Sequence, residues 1–185
     1  SGKDFVLRTH FSKRSGREVF KIKDVSKSYG DLQVLEDVDL LIERGEKVAF
    51  VGQNGQGKST LVKLMVGAQN VDGGEIMRGV NVDLGYYAQN QEDQLDPNKT
   101  VLETLEEVIP EERRTQTRKI LGSFLFSGED VEKKVMVLSG GERARLAMAC
   151  MFSHDLNVLI LDEPTNHLDL PSKTILKNAI SEFEG

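Results

Sequence analysis

The sequence predicts an α/β fold with an antiparallel β layer near its start and a helical subdomain inserted between two core strands. Three observations carry that reading. Residues 47–51 form a short apolar strand that runs directly into a glycine-rich loop, and residues 59–66 then take helical spacing. Residues 157–161 form a second apolar strand, ending in Asp162 and Glu163. Between them, from Val101 to Met151, the pattern changes from strand to helix, so helices interrupt the sheet.

In chain order, residues 18–25 and 34–42 read as strands joined through the turn Tyr29-Gly30-Asp31. Gly73-Gly74 marks a turn, and residues 82–87 are the next strand. Thr100 with Glu103 three residues on is a capping-box signature, so a helix starts at Val101. Pro110 separates it from a helix over residues 111–121. Ser139 opens a helix over residues 140–152, and residues 171–183 form a last helix with Pro171 in its first turn. The helical subdomain covers about residues 90–152.

At 185 residues, 38% hydrophobic and 29% charged, the chain can build a core, and wholesale disorder is excluded. No apolar run approaches the ~20 residues of a membrane-spanning helix, so no membrane span is expected. Nor does a signal-peptide pattern open the sequence. The single Cys150 excludes an internal disulfide framework, and the scattered histidines leave no zinc-site spacing. The net charge of −6 hides an asymmetry. Residues 1–30 carry eight Lys/Arg against three Asp/Glu, a net of +5, while residues 31–185 carry a net of −11. The basic segment reads either as a solvated terminus or as an RNA-facing linker. Ser1-Gly2 reads as the remnant of a cleaved tag.

Gly52-Gln53-Asn54-Gly55-Gln56-Gly57-Lys58-Ser59 fits the P-loop pattern G-x-x-x-x-G-K-[ST], between a strand and a helix as that chemistry requires. Gly52, Gly55 and Gly57 let consecutive N–H groups, with that of Asn54 among them, turn toward phosphate oxygens. The helix that follows, carrying Thr60 in the same binding set, adds the positive end of its dipole. Lys58 would reach the β- and γ-phosphates, and the Ser59 hydroxyl would bind Mg²⁺. A buried carboxylate needs a compensating charge, so Asp162 at the end of an apolar strand is a second Mg²⁺ ligand. Glu163, one residue further, is placed to orient or deprotonate an attacking water.

Val137-Leu138-Ser139-Gly140-Gly141-Glu142-Arg143-Ala144-Arg145 supplies another helix start, where Ser139 caps and Gly140-Gly141 bare the backbone donors. One nucleotide needs one phosphate site, so this second site serves a nucleotide bound to a partner domain. Here the sequence resembles the ABC ATPase family, from about Val19 to the end, with its motifs in order. The resemblance implies a P-loop NTPase core whose cofactors are ATP and Mg²⁺. It implies that Tyr29 is the aromatic that stacks on adenine. Gln89 matches the glutamine that approaches Mg²⁺ and the attacking water. Ser139, Gly140, Gly141 and Glu142 match the signature that meets the facing domain's ATP.

Asp162-Glu163-Pro164-Thr165-Asn166-His167-Leu168-Asp169 resembles the ABC-F subfamily in particular. That implies a cytoplasmic protein with two such domains in tandem, acting on the ribosome and its RNA as a translation factor or in antibiotic resistance. Only 50 residues separate Gln89 from Ser139, too few for the arm typical of the first domain. Residues 1–17 are accordingly expected to be tag remnant and linker, and residues 18–185 a second nucleotide-binding domain lacking its last strands and switch histidine. Its partner would be the first domain, arranged head to tail. Alone, the chain is expected to be a monomer or weak homodimer and a weak or inactive ATPase. His154, in Ser153-His154-Asp155, precedes the Asp162 strand and so is a loop histidine rather than the switch. His167 fits a contact to the partner domain, and Cys150 a small core residue. A transporter ATPase subunit and a nucleotide-dependent interaction module are the alternative readings.

Overall fold

The computed structural model describes residues 4–8, 16–44, 47–50, 55–88, 91–162 and 168–182. They fall into two compact units, one within Ser1–Tyr86 and Leu156–Glu163, the other within Tyr87–Asp155 and Pro164–Glu182.

The first unit holds two sheets. An antiparallel sheet of order β3-β2-β5 is built from β2 (Glu18–Tyr29), β3 (Leu32–Glu43) and β5 (Gly73–Arg78). Its long hairpin closes on Gly30, at φ +60°, which the predicted turn requires. β2 buries Val19, Phe20, Ile22 and Val25, and bulges between Ile22 and Val25. The bulge sets Asp24 at φ 51°, with its N–H donating to Asp39 Oδ1 at 2.9 Å.

β5 corrects the reading of Gly73-Gly74 as a turn: both glycines begin a strand. Gly74 lies at φ +77°, and a Cβ there would fall 2.2 Å from the Asp24 carbonyl oxygen. The glycine pair lets β5 lie close against the bulge of β2.

The second sheet has the order β4-β1-β7-β6, from β1 (Asp4–Arg8), β4 (Lys47–Phe50), β6 (Leu84–Ala88) and β7 (Val158–Asp162). β1 was not anticipated, since residues 1–17 read as tag and linker. It pairs antiparallel with β4 on one side and β7 on the other, so those two strands run parallel. Helix α1 (Gly55–Met65) packs Leu61, Val62, Leu64 and Met65 into one core with the buried residues of β2 and with Val158 and Ile160 of β7. Positions 61, 64 and 65 lie three and four apart, the spacing of one helical face.

The second unit is mainly helical. Its α-helices are α2 (Val101–Val108), α3 (Thr117–Ser123), α4 (Gly140–Phe152) and α5 (Leu170–Glu182). The predicted capping box forms: Thr100 Oγ1 accepts from Glu103 N at 3.0 Å, and Glu103 Oε1 accepts from Thr100 N at 2.9 Å. The single helix expected over 111–121 is instead a 3₁₀ turn, Glu111–Gln116, followed by α3. α4 presents Ala144, Leu146, Ala147, Met148 and Ala149 to the interior, and its small residues admit close neighbours. No helix among the described residues is long and apolar enough to cross a membrane.

Candidate functional site

The first unit brings three of the expected parts to one end of its sheets. α1 opens on Gly55-Gln56-Gly57-Lys58, with no acid in its first turn. The first four N–H groups of a helix have no intrahelical partner, so this end offers donors and a positive dipole end to an anion. Lys58 is 8% exposed and Thr60 is 3% exposed, while Ser59 is half-buried. The preceding Gly52 and Asn54 lie outside the described residues, and of Gly55 only the backbone is described.

β7 delivers Asp162. Its Leu159, Ile160 and Leu161 are fully buried, and Asp162 is its last residue. In the ladder Asp4 is paired with Phe50 on one side and Asp162 on the other. Phe50, which ends β4 just before the glycine-rich segment, is therefore level with Asp162. Two strand spacings put them roughly 10 Å apart. Glu163 and Gln89, the expected water-activating residues, lie outside the described residues, as does His167.

Tyr29 ends β2, paired across the hairpin with Leu32. A Cβ on Gly57 would sit 3.6 Å from the Val34 carbonyl oxygen. Val34 is two residues from Leu32, and a strand rises about 3.3 Å per residue. The aromatic hairpin end is thus about 7 Å along β3 from the glycine-opened start of α1.

The signature residues lie in the second unit. Ser139 Oγ accepts from Glu142 N at 3.1 Å, and Glu142 Oε1 accepts from Ser139 N at 3.0 Å. This qualifies the reading of bared donors, because the helix start is capped by its own acid. The remaining N–H groups of the first turn belong to Gly140 and Gly141. Behind Gly141 lies Asp169, whose Oδ2 would be 1.7 Å from a Cβ on that glycine. Asp169 Oδ1 accepts from Ser172 N at 2.9 Å, Ser172 Oγ donates to Gly141 O at 3.2 Å, and Arg145 Nη1 stands 3.5 Å from Asp169 Oδ2. Ser172, its side chain first and its backbone N–H after, holds the Asp169 carboxyl below its usual range, against burial and with help from Arg145. Arg145 and Ser172 were missed in the sequence. The sole signal, arginine on α4 and serine after the Asp169 motif, requires knowing that α4 and α5 pack together.

Cys150, on α4, has its thiol pushed up to about 12 by burial, which suits an inert packing residue. His154 sits in the turn beyond α4, its N–H donating to Met151 O at 3.3 Å.

A family model described as ABC transporter matches residues 35–166, which include the phosphate loop, Ser139–Glu142 and Asp162. YdiF of Bacillus subtilis is 47% identical over 179 residues, covering 95% of this chain and 28% of that protein. ABC transporter F family member 5 of Arabidopsis thaliana is 43% identical over 182 residues, covering 97% of this chain and 26% of that protein. The chain spans about a quarter of the length of the curated relatives it matches. Among solved structures, the dimeric ATP-binding cassette MJ0796, in a post-hydrolysis state bound to ADP and Pi, aligns with a TM-score of 0.66. That alignment has 26% identity and covers 88% of this chain and 83% of that one. CbiO1 of Clostridium perfringens, part of the ABC transporter complex cbiONQ, agrees in fold, with a TM-score of 0.68 at 24% identity over 91% of this chain and 76% of that one. The P-loop core with its antiparallel β layer and helical unit is therefore the architecture the sequence predicted, and the chain belongs to the ABC transporter family of ATPases, in its F branch.

Proposed function

We propose that this chain is the second ATP-binding and ATP-hydrolysing domain of an ABC-F protein that acts on the ribosome, in translation or antibiotic resistance. The observation that carries the nucleotide part is a spacing along β3. The hairpin end that bears Tyr29 and the glycine-opened helix start lie about 7 Å apart along β3, a spacing that suits the base and the phosphates of one nucleotide. The donor set suits Mg²⁺-ATP: backbone N–H groups and Lys58 for phosphate, and the hard oxygens of Ser59 and Asp162 for the ion. When bound, Mg²⁺ neutralises charge on the β- and γ-phosphates.

In this reading Tyr29 stacks on adenine while Gly52, Asn54, Gly55, Gly57 and Thr60 hold the phosphates. Gln89 approaches the ion, and Glu163 orients and deprotonates the attacking water. Ser139, Gly140, Gly141 and Glu142 face the nucleotide of a partner domain in a head-to-tail pair. That separation of parts makes the chain alone, monomer or weak homodimer, a weak or inactive ATPase. Loss of the γ-phosphate that bridges the two domains lets them separate.

The binding reading is tested by calorimetry of the 185-residue chain with Mg²⁺-ATP. Lys58→Ala is expected to lose at least tenfold in affinity, equivalent to ~1.4 kcal/mol, and an unchanged affinity would sink the site. The cellular reading is tested on the full-length protein carrying Glu163→Gln. It should sediment with ribosomes in an ATP-dependent way in a cytoplasmic extract, and membrane co-fractionation instead would point to a transporter subunit.

A further inference from the structure

The ring of Tyr29 does not stand alone at the hairpin end. Lys27 lies two residues before it on β2, and residues i and i+2 of a strand share a face. The Lys27 ammonium sits over the Tyr29 ring, 5.6 Å from its centroid. It is itself anchored, donating to Asn70 O at 2.8 Å and to Asp72 Oδ1 at 3.2 Å, and its side chain is 15% exposed. The other carboxylate oxygen of Asp72 accepts from Ser28 N at 2.7 Å. That bond, with the Lys27 contact second, holds the Asp72 carboxyl below its usual range. At the far end of the ring, the Tyr29 hydroxyl donates to Gln69 Oε1.

Gln69, Asn70 and Asp72 all belong to the loop that leaves the C-terminal end of α1. That loop is fixed to the helix through a left-handed Gly67 at φ +82°, whose N–H bonds Leu64 O at 3.2 Å while Ala68 N bonds Lys63 O at 2.8 Å. This pair of bonds is the Schellman arrangement, which stops the helix and sets the direction of the chain beyond it. Asp72 N then donates to Ser26 O at 3.0 Å, and Gly73 enters the ladder opposite Ser26. One loop from the C-terminal end of α1 thus holds the aromatic residue at its hydroxyl and anchors the Lys27 ammonium that lies over one of its faces.

We propose that Lys27, Asp72 and Gln69 are positioning residues that turn Tyr29 into a one-faced platform for a purine base, rigidly spaced from the phosphate-binding end of α1. The inference rests on the nucleotide-binding reading above and adds which residues fix the base subsite. With the ammonium over one face, the base has a single face on which to stack, and Tyr29 is 38% exposed. The cation draws ring electron density to its own side, so the open face repels an electron-rich purine less. Asp72 neutralises the ammonium and leaves no net charge on the platform. A ring locked in advance also spares the ordering cost that a mobile tyrosine would meet on binding.

The test compares Mg²⁺-ATP with Mg²⁺-tripolyphosphate, which has the phosphates and no base, by calorimetry on the 185-residue chain. Lys27→Met keeps the aliphatic stem and removes the charge. It is expected to weaken ATP about tenfold, within the worth of one base stack, and to leave tripolyphosphate unchanged. Lys27→Arg should restore ATP binding, and Lys27→Met should add nothing in a Tyr29→Ala background, because it acts through that ring. Equal losses for both ligands, or additive losses with Tyr29→Ala, overturn the proposal. If Lys27→Met does not fold, Gln69→Leu decides, since its hydrogen bond is at the surface: a lower ATP-to-tripolyphosphate affinity ratio supports the platform and an unchanged ratio overturns it. A wild-type chain that binds neither ligand removes the nucleotide site itself. One that binds both equally removes only the base platform.

Discussion

At Gly141 the missing side chain is what allows a contact. The Asp169 carboxylate occupies the space a Cβ would take, and from there it reaches Ser172 and Arg145. Gly141→Ala must push that carboxylate away, so its cost is the cost of losing those pairings, about 1 kcal/mol. The urea midpoint should fall accordingly, and it should not fall further when Gly141→Ala is made on top of Asp169→Ala. An additive double variant would mean that Gly141 is needed for some other reason. Ser139→Ala is different in kind. It removes the acceptor for Glu142 N and is expected to destabilise α4 by ~1 kcal/mol, read from the same denaturation curves. The sequence identified both residues and one of their jobs. The cap was legible because Ser139 and Glu142 are three residues apart. The packing against Asp169 was not, because the partner lies 28 positions later and reaches Gly141 through the packing of α5 on α4.

The same division between local and distant signals holds for whole elements. α2 and α4 start where their capping boxes put them, and α1 follows its glycine-rich loop, since each signal lies within one helical turn of the start. β5 escaped notice because its first two residues are glycines, which in isolation mean a turn. Only the bulge of β2 at Asp24 explains why glycine is required there. The other end of β5 gives a sharper test. A Cβ on Gly79 would fall 1.8 Å from the Glu18 carbonyl oxygen, and Gly79 N already donates to Val19 O at 2.8 Å. A backbone atom cannot rotate aside, so Gly79→Ala must spread β2 and β5 apart. It is expected to cost about 2 kcal/mol or more, as a drop in urea midpoint with an unchanged slope. An alanine variant as stable as the parent would show that the two strands separate there at no cost. β1 was illegible for a related reason: Asp-Phe-Val-Leu-Arg is apolar at three positions but has no turn signal fixing its ends. Its place between β4 and β7 is set entirely by strands more than 35 residues away.

Across the molecule, four carboxylates link stability to acid. Asp72, Glu103, Asp130 and Asp169 all have their pKa lowered by folding. The leading cause is a backbone N–H for Asp72 and Glu103, the Lys133 side chain for Asp130 and the Ser172 side chain for Asp169. The direction of linkage follows. The unfolded chain binds protons at the ordinary carboxylate values, 3.8 for Asp and 4.5 for Glu, whereas the folded chain resists them to lower pH. Stability from these groups is therefore fully present above about pH 5 and is lost as pH falls through the folded values, below about pH 4. The urea midpoint is expected to be level from pH 7 to about pH 5 with respect to these groups and then to fall. Asp169→Asn keeps the shape of the side chain and cannot ionise, so it should lower the midpoint at pH 7 while leaving a shallower acid limb than the parent. Because Asp169 ties α5 to α4, that loss should appear equally in probes of either helix. A variant whose acid limb is as steep as the parent's would show that Asp169 titrates alike in the folded and unfolded chains, and that the Ser172 and Arg145 contacts do not hold its charge.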